Sequence, residues 1–234
     1  MTPPPSDAVA AYDAIVVGSG PGGAAVARDL ARAGQRVLVL ERGRDWRGHR
    51  FYGTYPGALL YADRNALLFT KQGLNIVRPL MVGGATSMYA GCSAPPGAWW
   101  QREYGIELSA DAAAISAELQ VAPLLAALRG AASTRLAEAG AALGMDWTPQ
   151  DKFMMPARSQ RFSCGAHCLL GCRCGAKWNA AEWIDDAVLA GATLWTQARS
   201  LLQERRRGEI MPARSLRSFP TKPDVLSAPL RDRN

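Results

Sequence analysis

Gly18-Ser19-Gly20-Pro21-Gly22-Gly23 has the spacing G-x-G-x-x-G, and Glu41 follows these glycines in the segment LERG. Such a turn can cradle the pyrophosphate of a dinucleotide. Gly18 permits the tight turn, Gly20 lets the backbone approach the phosphates, and Gly23 lets a helix pack closely on a strand. The phosphates then rest on unpaired N–H groups at the positive end of a helix dipole. An acid about twenty residues past the glycines accepts hydrogen bonds from the adenosine ribose. An acid at that place, rather than a base for a 2′-phosphate, argues for FAD or NAD over NADP. A second run of small residues, Met81 to Cys92, contains Gly83, Gly84, Thr86 and Ser87. Glycines allow close backbone approach there, and hydroxyls can donate to phosphate oxygens.

A different chemistry is offered by Cys164, Cys168, Cys172 and Cys174, with His167 among them. Four thiolates so close together could hold an iron–sulfur cluster or zinc. Their C-x3-C-x3-C-x-C spacing matches neither the ferredoxin run nor the common zinc patterns, so buried thiols, a metal cluster and a disulfide all stay open. Cys92 reads as a packing residue. The only other histidine is His49, in an Arg-Gly-His-Arg stretch.

The elements that position the glycine turn are legible around it. Ala14 to Val17 reads as a buried parallel strand, the residues up to Gly34 as an amphipathic helix, and Arg36 to Leu40 as a second strand. Gly34 suits the end of the helix. An irregular excursion from Asp45 to Arg64 follows, then a strand pair near Leu67–Phe69 and Asn75–Arg78. Residues 109–144 read as helices on the outside, broken at Pro123 and Gly130, with Ser133 as an N-cap. Trp178 to Ala190 has helical periodicity, and Thr193 to Thr196 reads as a strand. The expected fold class is α/β: a Rossmann-type FAD/NAD(P)-binding fold with a parallel sheet core and added helices.

The bulk properties narrow the partners. The 234 residues carry a net charge of +7, but eight basic and four acidic residues lie after residue 200 and leave the rest near balance. No aromatics interleave with basic residues as in single-strand binders, so nucleic-acid binding is not expected. No stretch approaches the length of a membrane span. The N-terminus MTPPPSDAVAAYDA lacks a basic and apolar leader, which makes the cytoplasm the expected location.

The opening unit ending in LERG, the later VGGATSMYAG, and CLLGC followed by GAKWNAAEWIDDAVLAGATL together resemble the N-terminal part of a glucose–methanol–choline (GMC) oxidoreductase. The branch it is most similar to carries a cysteine-rich segment ahead of the GAK motif. The resemblance covers about residues 13 to 200. It implies FAD as cofactor and oxidation of an alcohol-type, CH–OH donor. It also implies cofactor-binding roles for Gly18, Ser19, Gly20, Pro21, Gly22, Gly23, Glu41, Arg42, Gly83, Gly84, Thr86 and Ser87. The expected division is a flexible N-terminus at 1–12, an FAD-binding domain at 13–202 and a disordered basic tail at 203–234 with four prolines. In the family the catalytic base is a histidine near the C-terminus of a chain about twice as long. Neither His49 nor His167 matches it, so the sequence assigns no catalytic residue. The chain therefore reads as incomplete relative to the family, a truncated or frameshifted product. The alternative is a non-catalytic flavin- or nucleotide-binding module. A small NAD-dependent dehydrogenase is disfavoured, because it has no use for the second glycine motif.

Overall fold

The computed structural model describes residues 12–162 and 167–198. In chain order the elements are β1 (Ala14–Val17), α1 (Pro21–Arg32), β2 (Val37–Leu40), α2 (Tyr55–Tyr61), α3 (Trp99–Tyr104), α4 (Ser109–Glu118), β3 (Ala122–Pro123), α5 (Ala131–Ala142), β4 (Asp151–Lys152), α6 (Ala181–Leu189) and β5 (Thr193–Trp195). Among the described residues five short 3-10 turns join them, including Gly84–Ser87 and His167–Leu170. The N-terminal segment 1–12, apart from its last residue, and the tail 203–234 lie outside the described residues.

The principal sheet has the order β1-β2-β5, and both pairings are parallel. Ala14 to Val17 face Val37 to Leu40 in register, and Leu38 to Leu40 face Thr193 to Trp195. Parallel strands need a crossover, and α1 and α6 supply the two crossings. Both helices lie on one face of the sheet. Their contact is made of small residues, Ala24, Ala27 and Ala31 of α1 against Ile184 and Ala187 of α6, with Val16, Val37 and Val39 beneath. Alanines let the two helices approach closely over the β-branched strand residues.

Two ion-pair groups fasten outlying segments to this core. Arg28 of α1 is buried, lies 3.8 Å from the centre of the Trp183 ring and is paired through its guanidinium with Glu118 of α4. Arg47 bridges Asp45 and Asp185, tying the excursion after β2 to α6. A second cluster, Tyr52, Ala58, Tyr61 and Met81, forms beneath α2.

Several sequence expectations change. β1 is not a buried strand. Val16 is covered, but Ile15 and Val17 are 52% and 57% exposed. The strand order explains this: β2 is central and buried throughout, whereas β1 lies at the sheet margin with helices on one face only. The strand pair near residues 67–78 reduces to single antiparallel bridges, Phe69 with Asn75 and Ala62 with Pro79. The excursion contains α2, capped by Thr54, whose hydroxyl accepts from Gly57 N at 3.1 Å. Ser133 is not an N-cap, because Gly130 is extended and the helix already begins at Ala131. The helix near residue 180 starts three residues later than the periodicity places it, for a reason that lies in the site.

Candidate functional site

The first glycine turn joins β1 to α1. Gly18 has φ +93°, which glycine adopts without strain, and its N–H donates to Leu40 O at 2.8 Å. The turn is thereby pinned to the end of β2. Pro21 is the first residue of α1, where its missing N–H costs nothing. A Cβ on Gly23 would stand 3.1 Å from the Gly18 carbonyl carbon, closer still to its oxygen, and 3.3 Å from Val16 Cγ1. This is the tight helix–strand contact that the third glycine of the motif is expected to serve. By contrast, a Cβ on Gly20 or Gly22 would meet nothing within 4 Å. Open space thus lies over the amides that begin α1, which have no intrahelical acceptor.

Glu41 lies just past β2 and is buried. One carboxylate oxygen accepts from Ser19 N at 3.0 Å and Ser19 Oγ at 2.6 Å, and the other accepts from Gly43 N at 2.7 Å. The acid therefore fixes the turn through Ser19 and Gly43. Arg42, the next residue, is half-exposed and lies 3.6 Å from Asp63, which also pairs with Arg78 at 2.5 Å.

The second glycine run meets the first. Gly83 N donates to Ser19 Oγ at 3.2 Å, and a Cβ on Gly84 would stand 2.8 Å from Gly20 Cα. The two backbones can pass this closely only because Gly84 carries no side chain, whereas a Cβ on Gly20 would point into open space. Gly83 has φ +91°, and the turn Gly84–Ser87 is 3-10. The Thr86 hydroxyl donates to Gly83 O at 2.6 Å and accepts from Ala180 N at 2.9 Å. Ser87 Oγ donates to Val82 O at 3.3 Å and accepts from Asn179 Nδ2 at 3.1 Å. Both hydroxyls are buried and shape the loop from inside.

Two residues that the sequence reading passed over organise this centre. Asn179 accepts from Ala181 N at 2.9 Å, while its own N–H donates to Glu182 Oε1 at 3.2 Å. This is a capping box, and it delays the start of α6. The signal was the Asn179-x-x-Glu182 spacing before an apolar helix. Lys177 is almost wholly buried, and its ammonium donates to Ser87 O at 3.3 Å, Tyr89 O at 2.7 Å and Cys168 O at 3.1 Å. It also faces the Tyr89 ring at 4.3 Å, and burial raises the Tyr89 phenol pKa. Lysine thus clasps the cysteine segment to the second glycine loop.

The cysteine residues are only partly in view, since Cys164 lies outside the described residues. Cys168 is buried, whereas Cys172 and Cys174 are half-buried with sulfurs 3.7 Å apart. The Cys172 N–H donates to Tyr52 Oη at 3.2 Å, and burial pushes that phenol up to about 12. Among the described residues no three His, Cys, Asp or Glu side chains are grouped as a metal site. Cys92 is exposed and takes a contact from Lys152 Nζ at 2.9 Å, so it is not a packing residue. His49 stacks edge-on against Trp46, and His167 against Tyr55.

Comparison with known proteins agrees with this architecture. The family of NAD(P)-binding Rossmann-like domains matches residues 16–78. A GMC-type oxidoreductase of Mycobacterium tuberculosis is 33% identical over 95% of this chain, which spans 37% of that protein. The long-chain-alcohol oxidase FAO1 of Arabidopsis thaliana is 29% identical over 80% of this chain and 26% of its own length. The crystal structure of pyridoxine 4-oxidase from Mesorbium loti superposes with a TM-score of 0.52 at 16% identity, over 81% of this chain and 43% of that one. The fold is thus a Rossmann-like, parallel-sheet domain, and the likeness to GMC-type oxidoreductases extends along nearly the whole chain. The chain spans little more than a third of the mycobacterial relative. Among the described residues no helix is long and apolar enough to cross a membrane.

Proposed function

We propose that residues 13–202 form the FAD-binding domain of a GMC-type oxidoreductase acting on the CH–OH group of an alcohol-type donor. One observation carries this reading. Two glycine loops, 64 residues apart at the Gly83–Ser19 contact, meet beside a buried acid. A single nucleotide-binding turn does not need the second loop, whereas a long dinucleotide lying across both does. In this reading Gly18, Ser19, Gly20, Pro21, Gly22 and Gly23 hold the pyrophosphate, and Glu41 and Arg42 lie toward the adenosine. Gly83 and Gly84 line the flavin side, and Thr86 and Ser87 act through the shape they give that loop.

The open space over Gly20 and Gly22 fits phosphate oxygens against the amides of α1. When bound, FAD supplies the hydride acceptor for alcohol oxidation. This chain's own residues bind and orient it. Neither histidine is assigned as the base, since neither His49 nor His167 stands where the resemblance places it. That favours, as a second reading, a flavin-binding module that does no chemistry by itself. A small-molecule alcohol as substrate and a cytoplasmic setting belong to the same proposal and rest on the resemblance and the sequence.

The visible spectrum of the purified chain, followed by an alcohol assay with an artificial electron acceptor, tests this. Flavin bands with negligible turnover support an FAD-binding part that lacks its base. A colourless protein that takes up no added FAD overturns the reading, and robust turnover by the chain alone overturns its account of the histidines.

A further inference from the structure

We propose that Cys172 and Cys174 form a dithiol–disulfide pair that exchanges with a small, carboxylate-bearing disulfide held in the cleft beside Cys174. The pair is one residue apart in sequence, and its sulfurs are 3.7 Å apart and therefore not bonded to each other. A disulfide needs about 2.05 Å, so the two sulfurs must draw closer before they can bond. The chain bends at residues 173–175. The Lys177 amide donates to Cys172 Sγ at 3.4 Å and holds that sulfur next to its neighbour.

The cleft gives the pair a substrate site. It has a volume of about 540 Å³ and is lined by Thr54, Tyr55, His167, Arg173 and Cys174, among others. Among the described residues none that lines it is acidic, and Arg173 is a fixed cation on its wall. The volume suits one arm of a tripeptide-sized disulfide, and the guanidinium suits a carboxylate on it.

The exchange balances in two steps. The Cys174 thiolate attacks one sulfur of the disulfide RS–SR, which forms Cys174–S–SR and releases RS⁻. The Cys172 thiolate then attacks Cys174 Sγ, closing the Cys172–Cys174 bond and releasing the second RS⁻. The two cysteines are oxidised by two electrons, and RS–SR is reduced to two thiols. Each cysteine loses its proton to solvent or to the departing thiolate.

The experiment uses the full chain with oxidised glutathione as probe, followed by alkylation and peptide mapping. In the unaltered protein the peptide carrying both cysteines should resist alkylation, be lighter by two hydrogens and retain no glutathione. Cys172→Ser should retain one glutathionyl group on Cys174, because the resolving thiol is gone. Oxidised glutathione should react about tenfold faster than cationic cystamine at low salt, and Arg173→Ala should abolish that preference. The proposal is overturned if glutathione stays on Cys174 in the unaltered protein, or if the bridge forms to Cys164 or Cys168 instead. It is equally overturned if cystamine reacts as fast, or if the purified protein holds iron or zinc through these thiols.

Discussion

Adding one methyl group at each of two adjacent glycines should move stability in opposite directions. Gly22 and Gly23 both lie in the first turn of α1, and neither has a positive φ. A Cβ on Gly22 meets nothing within 4 Å. Gly22→Ala therefore gains only the reduced entropy of the unfolded chain and better helix propensity, about 0.5 kcal/mol at a helix end. A Cβ on Gly23 would press into the Gly18 carbonyl and stand 3.3 Å from Val16 Cγ1. The obstructing atoms are backbone, so α1 must lift from β1. Overpacking of that kind costs about 1–3 kcal/mol, only partly offset by the helix gain. About 2 kcal/mol in a chain of this size lowers the melting temperature by roughly 4–8 °C, while Gly22→Ala raises it by roughly 1–2 °C. Thermal melts followed by circular dichroism, without added cofactor, measure both. If Gly23→Ala melts at or above the parent, the last glycine is not what lets helix and strand approach, and the reading of the motif fails.

Glu41→Ala should lower stability by about 2–4 kcal/mol even without cofactor, since it leaves buried donors on Ser19 and Gly43 unpaired; a urea midpoint equal to the parent's would show that the acid serves only a ligand. Lys177→Met should cost about 2–4 kcal/mol by stripping the ammonium donor from three carbonyls, again read from the urea midpoint; an unchanged midpoint would mean that other donors take its place. Asp13, paired with Arg36 at the start of β1, has its carboxyl held down to about 2 by the Arg36 side chain and backbone donors. The unfolded value is about 3.9, so this stabilisation is present above about pH 4 and is lost as pH falls toward 2. Asp13→Asn should flatten that part of the acid unfolding curve, and a curve of unchanged slope there would remove Asp13 from it.

The parts of this fold legible in the sequence are those set by local pattern. β1, α1 and β2 follow from a β-branched run, a glycine turn and a helical alternation ended by Gly34, and β5 from a short run after Gly191. The exposure of Ile15 and Val17 was not legible, because burial of a strand depends on which strands flank it and not on its own residues. The structural role of Glu41 was not legible. Its position after β2 marked it as an acid facing a ligand, but its bonds to Ser19 and Gly43 arise only when the turn folds back over it. Lys177 was hidden for a related reason. A buried lysine looks like any surface lysine until three carbonyls from distant segments converge on it. Asn179 could have been found, since a capping box is a local spacing.

Titration of the purified chain with FAD, followed by flavin fluorescence and run in parallel with Gly20→Val, tests the central claim most directly. A Cβ at Gly20 has open space around it, so the variant should fold, while its branched side chain occupies the volume over the amides of α1. The account predicts saturable binding of one FAD per chain in the parent and none in the variant, with both melting alike in the absence of FAD. Absence of binding in the parent, or equal affinity in the two, would contradict it.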